Sequence, residues 1–112
     1  PPRTAVAVTR QGRLLLMTVD GRQPGFSEGM SLQEVARFLV AHGAVEALNF
    51  DGGGSTTMAI ADPRPRIINF PSDHKADGDA GEARAVGVNL GVFARPNPDY
   101  KPLPPIRTAA SR

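Results

Sequence analysis

The stretch TAVAVTRQGRLLLMTV, residues 4–19, gives the clearest fold signal in this chain of 112 residues. Residues 4–9 and 14–19 are rich in aliphatic and β-branched side chains, and the polar, glycine-containing segment RQGR separates them. Two such runs joined by a short polar segment predict an antiparallel β-hairpin. The second run is apolar at nearly every position, which predicts a strand covered on both faces.

A helix is predicted downstream of this hairpin. Ser31 is a favourable N-cap, and Glu34 falls at the third helical position, so the two residues form a capping box. Met30 and Val35 occupy the positions of a hydrophobic staple, and Gly43 suits a left-handed C-terminal cap. The expected buried face is an apolar stripe at helical spacing, made of Leu32, Val35, Ala36 and Leu39.

The remaining segments predict a chain of short strands and loops. Loops are expected at residues 20–29, 62–66 and 71–84, and strands at residues 45–50, 56–61, 67–70 and 85–93. The element order β-β-α-β-β-β-β predicts an α+β fold in which a mixed β-sheet packs against one helix. The predicted sheet is short of partner strands and the chain begins without Met. We therefore expect residues 1–95 to be the C-terminal half of a larger domain, followed by a proline-rich tail, extended or disordered, at 96–112.

Composition argues against several classes of protein. The formal net charge is only +2, and the sequence shows no basic patch interleaved with aromatic residues, so no nucleic-acid partner is predicted. No apolar stretch reaches the length of a membrane span. The absence of cysteine excludes disulfides and thiolate metal sites in this chain.

The segment NFDGGGSTTM, residues 49–58, is the strongest candidate for a functional loop. Asp51 precedes three consecutive glycines, whose bare backbone amides can form a concave anion site. The alternative is a glycine-rich turn without a ligand, in which Asp51 bonds to local amides. The segment lacks the lysine of a P-loop and the helix that follows both a P-loop and a dinucleotide-binding motif. The candidate anion-binding residues are Asn49, Gly52, Gly53, Gly54, Ser55 and Thr56.

Other polar residues cluster at the ends of predicted strands. Two of them, Asp20 and Arg22, follow the second strand directly. Arginine donates in a planar fork that matches phosphate oxygens, so these clusters together with the glycine loop predict a phosphate site. Each residue alone also fits a turn or an ordinary solvated charge. The candidates in these clusters are Arg3, Asp20, Arg22, Ser72, Asp73, His74 and Arg84.

The segment DHKADGDAGE, residues 73–82, is rich in oxygen ligands, so a divalent metal such as calcium stays an open alternative. Its spacing does not match the EF-hand pattern. No other cofactor is predicted. A Ser-His-Asp hydrolase is disfavoured, because no nucleophile-elbow motif surrounds Ser55 or Ser72. The potential metal ligands are Asp73, His74, Asp77, Asp79 and Glu82.

Several segments, in order from Pro2 to about Phe93, resemble the phosphodiester glycosidase family. They are PRTAVAV, GRLLLMTVDGRQPGFSEGMSLQEVARFL, GAVEALNFDGGGSTTM, NFPSDH and RAVGVNLGVF. The Asp-Gly-Gly-Gly-Ser block is the most specific of these matches. The chain departs locally from the family pattern: Ala85 replaces a usual proline or glutamine, Gly87 replaces a usual serine, and Phe50 replaces a usual leucine.

The resemblance implies hydrolysis of a sugar-1-phosphodiester, of the N-acetylglucosamine-1-phosphodiester kind, to a sugar and a phosphomonoester. Relatives also imply a secreted or cell-envelope protein, often linked to exopolysaccharide metabolism. The family's domain is longer than this chain, so an N-terminal half or a second chain is the expected partner, besides the substrate.

For that reaction we expect Asp51 to act on the sugar side, as general base or as nucleophile. Asp20 is the second carboxylate candidate, either as an acid or as the group that orients an arginine. Two other classes of function stay open: a non-catalytic module that binds an anionic glycan, and a structural fragment that completes a sheet. The expected phosphate-holding groups are the amides of residues 52–55 with Arg22, Arg84 and His74.

Overall fold

The computed structural model describes residues 1–61, 63–74 and 80–104. It contains one α-helix and seven short strands within these ranges, and all strand pairs are antiparallel. The α+β class predicted from the sequence is therefore confirmed. The elements are β1 (Arg3–Thr9), β2 (Leu14–Val19), α1 (Leu32–Ala41), β3 (Ala44–Asn49), β4 (Ala59–Ala61), β5 (Pro65–Ile67), β6 (Asp73–His74) and β7 (Ala80–Glu82).

The main sheet has three strands in the order β2-β1-β3. The predicted hairpin is confirmed, since β1 and β2 pair from Arg3 opposite Val19 to Val8 opposite Leu14. Gly12 has a φ of +79° at the turn, a conformation that glycine adopts without strain. Strand β3 comes from beyond the helix and pairs with the other edge of β1, so β1 lies at the centre of the sheet.

The core lies between this sheet and α1. Ala5 and Ala7 alternate on one face of β1 and are buried against Val35 and Leu39 of the helix. Small side chains on the central strand let the helix approach the sheet closely. The surrounding partly buried side chains are Leu15, Met17, Met30 and Ala44.

Both ends of α1 follow the sequence signals. The Ser31 hydroxyl accepts from the Glu34 amide at 3.2 Å, and Glu34 Oε2 accepts from the Ser31 amide at 2.7 Å. These hydrogen bonds lower the pKa of Glu34, so their stabilisation is present above the ordinary glutamate pKa and is lost as pH falls through the lowered value. Gly43, with a φ of +89°, follows the last turn as predicted. The predicted apolar stripe is only half correct, because Leu32 and Ala36 are exposed.

The other face of the sheet is open and apolar. The strand register places Val6 beside Leu16 and Leu48, and Val8 beside Leu14. Leu14 and Leu16 are 47% and 44% exposed, so the prediction that β2 is covered on both faces is wrong for the described structure. The physical reason is that α1, the one α-helix in the described ranges, covers a single face. We call this surface the open face: Val6, Val8, Leu14, Leu16 and Leu48.

The C-terminal half departs further from the predicted elements. The strand expected at 56–61 shortens to Ala59–Ala61, and the one expected at 67–70 lies at Pro65–Ile67 instead. The loop expected at 71–84 contains the paired strands β6 and β7, whose register Asp73↔Glu82 closes a small hairpin. Its central residues, 75–79, lie outside the described ranges.

The predicted strand at residues 85–93 is wrong for this structure. The segment has no strand assignment, and Val88 and Phe93 are 90% and 101% exposed. A β-segment needs a neighbouring strand for its hydrogen bonds, and the described sheets give it none. Residues 96–104 also lack helix and strand, while the predicted domain boundary at 95 stays a prediction. No helix in the described ranges is long and apolar enough to cross a bilayer.

Candidate functional site

The glycine loop is packed against the start of the chain. Pro2 is fully buried, and its carbonyl accepts from the Gly53 amide at 3.1 Å. A Cβ built on Gly52 would lie 2.7 Å from the Pro2 carbonyl oxygen, and one on Gly21 would lie 2.7 Å from the Pro2 nitrogen. The first reason for the bare backbone is therefore direct contact with another segment of main chain.

The loop itself forms one 3₁₀ turn, Gly53–Ser55. The Ser55 amide donates to the Gly52 carbonyl at 3.2 Å, and the Thr56 amide donates to the Gly53 carbonyl at 3.1 Å. We predicted the amides of Gly53 and Ser55 as anion donors. Both already donate hydrogen bonds within the protein, to the Pro2 and Gly52 carbonyls. An anion at this loop must therefore rely on side chains more than on these amides.

Arg22 places its guanidinium directly over the loop. A Cβ on Gly53 would lie 3.1 Å from Arg22 Nη1 and 3.5 Å from its Cζ, so a side chain there would crowd the guanidinium, and the φ of +62° at Gly53 also favours glycine. Arg22 has a φ of +56°, the one positive φ outside glycine in the described ranges. The left-handed conformation costs a non-glycine residue roughly 1–2 kcal/mol, and such strain often accompanies functional sites. The bridge between Gln23 and Ser27 holds this backbone in place.

Arg84, which follows strand β7, contacts the same loop. Its Nε and Nη2 donate to the two carboxylate oxygens of Asp73 at 2.8 and 3.0 Å, and its Nη1 donates to Ser55 Oγ at 3.4 Å. The hydrogen bonds and charge of Asp73 raise the pKa of Arg84, and the charge of Asp51 adds to this effect. Thus two of the three predicted arginines, Arg22 and Arg84, are 62 residues apart in sequence and both lie against Gly53–Ser55.

Asp51 is exposed at the rim of this arrangement. The residue before it is fixed to β1, since the Phe50 amide donates to the Thr4 carbonyl at 2.8 Å. Asn49, two residues before Asp51, is also exposed and donates through Nδ2 to the Phe50 carbonyl at 2.9 Å. Asp51 is thus exposed to solvent, and it is close enough to Arg84 for its charge to help raise the pKa of that guanidinium.

Asp20, our second carboxylate candidate, forms a hydrogen-bonded cluster with Asn69 and Phe70 inside the fold, which we call the Asp20 clamp. It accepts from the Phe70 amide at 2.9 and 3.0 Å and from Asn69 Nδ2 at 3.0 Å. Asn69 also donates to the Thr56 carbonyl at 2.9 Å and accepts from the Met58 amide at 2.7 Å. The clamp joins the end of β2, the segment after the glycine loop and the segment before β6.

Sequence reasoning missed two residues of this framework. Asn69 is buried, and its only sequence signal is a polar side chain inside the apolar run IINF. Gln23 is equally buried and donates to the carbonyls of Phe70 at 2.9 Å and Gly21 at 3.2 Å. Nothing local distinguishes Gln23 from an ordinary polar loop residue.

The other predicted residues divide into structural and peripheral positions. Arg3 donates through Nε to the Met30 carbonyl at 2.8 Å, so its head group is directed to the start of α1. Thr56 is 1% exposed and bonds to the Thr4 hydroxyl. Ser72 is buried with no hydrogen-bond partner for its hydroxyl in the described structure, and His74 is exposed on β6.

The metal alternative gains no support from the described ranges, where no group of three or more His, Asp or Glu side chains could hold an ion. Two of the predicted ligands, Asp77 and Asp79, lie outside those ranges.

Residues 1–93 match the sequence profile of the phosphodiester glycosidase family, and this range includes the loop, both arginines and the clamp. This chain belongs to the phosphodiester glycosidase family. The resemblance inferred from the glycine block and the accompanying segments is thereby confirmed.

Named phosphodiester glycosidases are among the similar proteins. The bovine and human proteins named N-acetylglucosamine-1-phosphodiester α-N-acetylglucosaminidase are 41% and 39% identical over 75 residues, which are 67% of this chain. A prophage-derived protein of Bacillus subtilis is 34% identical over 72 residues, or 64% of this chain and 11% of its own length. The chain spans only 13% and 14% of the length of the bovine and human relatives.

A solved structure supports the fold. The crystal structure of a protein described as exported, from Burkholderia pseudomallei, superposes with a TM-score of 0.58 and 41% sequence identity. The match covers 71% of this chain and 14% of that one. The described fold therefore recurs as a small part of a much longer protein.

Proposed function

We propose that this chain provides the phosphate-binding side of a glycosidase site that hydrolyses a sugar-1-phosphodiester. The observation that supports it is the approach of two guanidinium groups, those of Arg22 and Arg84, to one glycine turn beside the exposed carboxylate of Asp51. The mammalian relatives carry the name of an enzyme for N-acetylglucosamine-1-phosphodiesters, so we propose that sugar as the first to test.

The proposed reaction breaks the bond between the anomeric carbon and the phosphate oxygen. The group that leaves is a phosphate monoester, whose negative charge is stabilised by resonance, so protonation of the leaving group matters less than charge stabilisation. The electron pair of the broken bond stays on the phosphate, and fixed cations lower the energy of that developing charge. Arg22 and Arg84 fit this task because guanidinium pairs with phosphate oxygens in a fork geometry.

Asp51 is proposed to act on the sugar. As a general base it would take a proton from the water that attacks the anomeric carbon. As a nucleophile it would form a glycosyl ester as the phosphate leaves, and water would then hydrolyse that ester to release the sugar and restore the carboxylate. Its exposure supports either role, since a reacting carboxylate has to reach the substrate. We propose that Asp20 stabilises the fold around the site and does not contact the substrate, because its carboxylate accepts the hydrogen bonds of the clamp.

Turnover of a defined substrate tests the proposal. The full-length protein is expected to release N-acetylglucosamine from the methyl phosphodiester of N-acetylglucosamine 1-phosphate. The matched control is methyl N-acetylglucosaminide, which lacks the phosphate and should not be hydrolysed. Binding of the phosphodiester without any release of sugar would contradict hydrolysis and favour the alternative, a non-catalytic module for anionic glycans.

We further propose that additional polypeptide of the same domain, as an N-terminal half or a second chain, packs on the open face. Five apolar side chains of one sheet surface support this, together with the much greater length of the relatives. An exported or cell-envelope location is part of the same proposal, in line with the description of the Burkholderia protein.

The open face predicts how the 112-residue chain behaves alone. Because apolar patches of this kind bind hydrophobic dyes and associate, the isolated chain should enhance the fluorescence of anilinonaphthalene sulfonate, and Leu16→Thr with Leu48→Thr should reduce that signal. Val40→Thr is the control, since Val40 is 67% exposed on α1 and outside the open face. The full-length protein should give little fluorescence. Equal signals from the full-length protein and the isolated chain would argue against a covered face.

A further inference from the structure

We propose that Asp73 is a positioning residue that holds the Arg84 guanidinium in the orientation in which it receives the substrate phosphate, without touching the substrate itself. The inference rests on the proposed function, because it assigns Arg84 to the phosphate of a sugar phosphodiester. It also revises our expectation from the sequence, in which Asp73 contacts the phosphate directly.

The hydrogen bonds that Arg84 makes to Asp73 and Ser55 use only part of its guanidinium. A guanidinium has five N–H donors, and Asp73 takes one from Nε and one from Nη2. Ser55 takes one from Nη1, so the contacts of the described residues leave two donors, one on each terminal nitrogen. One N–H on each terminal nitrogen is the set with which a guanidinium can bind two phosphate oxygens at once. The Arg84 side chain is 50% exposed, so a ligand can reach this edge.

Charge argues that Asp73 is a support and not a phosphate ligand. A carboxylate and a phosphate repel each other, and Asp73 already uses both oxygens on Arg84. Arg22 approaches the same turn at Gly53, where its guanidinium lies against the glycine. Arg22 therefore adds positive charge that attracts the phosphate, while Asp73 fixes the orientation in which Arg84 donates to that phosphate.

The loop and the hairpin are both shaped around this pair. A Cβ on Gly54 would collide with the Asp73 carboxylate and with Arg84 Nη2. The ion pair therefore packs directly against the third glycine of the loop. The hairpin of β6 and β7 brings Asp73 and Arg84 together across eleven positions. Phe70, held by the Asp20 clamp, packs its ring on Gly81 of that hairpin.

The test measures binding of N-acetylglucosamine 1-phosphate to the full-length protein by calorimetry, beside the kcat/KM for the phosphodiester. Asp73→Asn is expected to raise the dissociation constant about 10-fold and to lower kcat/KM about 10-fold, as for one misaligned charge-assisted hydrogen bond. A purely electrostatic role predicts the opposite sign, because removing an anion attracts phosphate. Glu82→Gln is the matched control: it removes the same charge from the opposite strand of the hairpin and should leave binding unchanged.

Coupling to Arg84 distinguishes positioning from an independent contact. If Asp73 acts through Arg84, the double variant Asp73→Asn with Arg84→Ala should bind no more weakly than Arg84→Ala alone. The melting temperature should change by no more than a few degrees in each case, because exposed ion pairs contribute little to stability. Additive losses of affinity would overturn the inference.

Gly54→Ala provides a second variant that keeps both charged groups but displaces them, and it should weaken phosphate binding as Asp73→Asn does. Gly87→Ala is its control, since a Cβ there meets nothing within 4 Å. Unchanged binding in Asp73→Asn overturns the positioning role and leaves hydrolysis standing. Phosphate binding with Asp73 dependence but without turnover refutes hydrolysis and leaves the positioning role standing. Failure of the unsubstituted protein to bind the phosphate overturns both.

Discussion

Asp51→Asn in the full-length protein is expected to lower kcat on the N-acetylglucosamine phosphodiester at least about 100-fold, the lower range for loss of a general base. The amide has nearly the shape of the carboxylate but accepts a proton far more weakly, and it cannot form a glycosyl ester. Because Asp51 is exposed and carries no clamp contact in the described structure, the fold should tolerate the change. Steady-state kinetics beside a thermal melt would measure both effects.

The matched control for Asp51 is Glu28→Gln. Glu28 is an exposed carboxylate in the loop that carries Arg22, outside the open face, so the substitution removes the same charge without touching the glycine loop. Its kcat should stay near that of the unsubstituted protein. A kcat for Asp51→Asn within about threefold of the unsubstituted protein, far short of a general-base effect, would remove Asp51 from the chemistry.

Asp20→Ala is expected to reduce the free energy of unfolding by about 3 kcal/mol, the scale of one or two charge-assisted hydrogen bonds together with their stranded donors. The Phe70 amide and Asn69 Nδ2 lose their carboxylate, and Asn69 is buried where water cannot fully replace it. The loop that carries Arg22 and the segment that leads to β6 would then separate. Equilibrium unfolding in urea measures this effect.

Glu28→Ala is the control for Asp20, because Glu28 is an exposed carboxylate in the same loop. It should change the free energy of unfolding by no more than about 0.5 kcal/mol, as usual for surface substitutions. A loss below about 1 kcal/mol for Asp20→Ala would contradict the clamp, since hydrogen bonds to a charged group contribute more than that. Asp20 would then become a candidate for direct catalysis again.

The elements that the sequence predicts well are those defined by neighbouring residues. The capping pair Ser31 and Glu34 lies within one helical turn, and Gly43 marks the end of the helix by its own backbone preference. The first hairpin is equally local, since its strands are joined by four residues. Short-range signals of this kind are independent of the rest of the fold.

The segment 85–93 shows the limit of such signals. Its alternating apolar side chains are typical of a strand, yet a strand forms only against a neighbour. Whether an edge is available is a property of the tertiary structure, so the pattern alone could not decide the outcome. The open face of β2 follows the same rule, because coverage of a sheet depends on which other elements pack on it.

For the site, the sequence by itself determined the residue types: a carboxylate followed by three glycines, arginines near strand ends and a match to a glycosidase family. Only the tertiary structure decided what each glycine is for, with Gly52 facing Pro2, Gly53 facing Arg22 and Gly54 facing Asp73 and Arg84. It also decided that Asp20 lies in a clamp with Phe70, 50 residues away. Contacts across such separations depend on how strands and loops pack in space, and no local pattern of side chains encodes them.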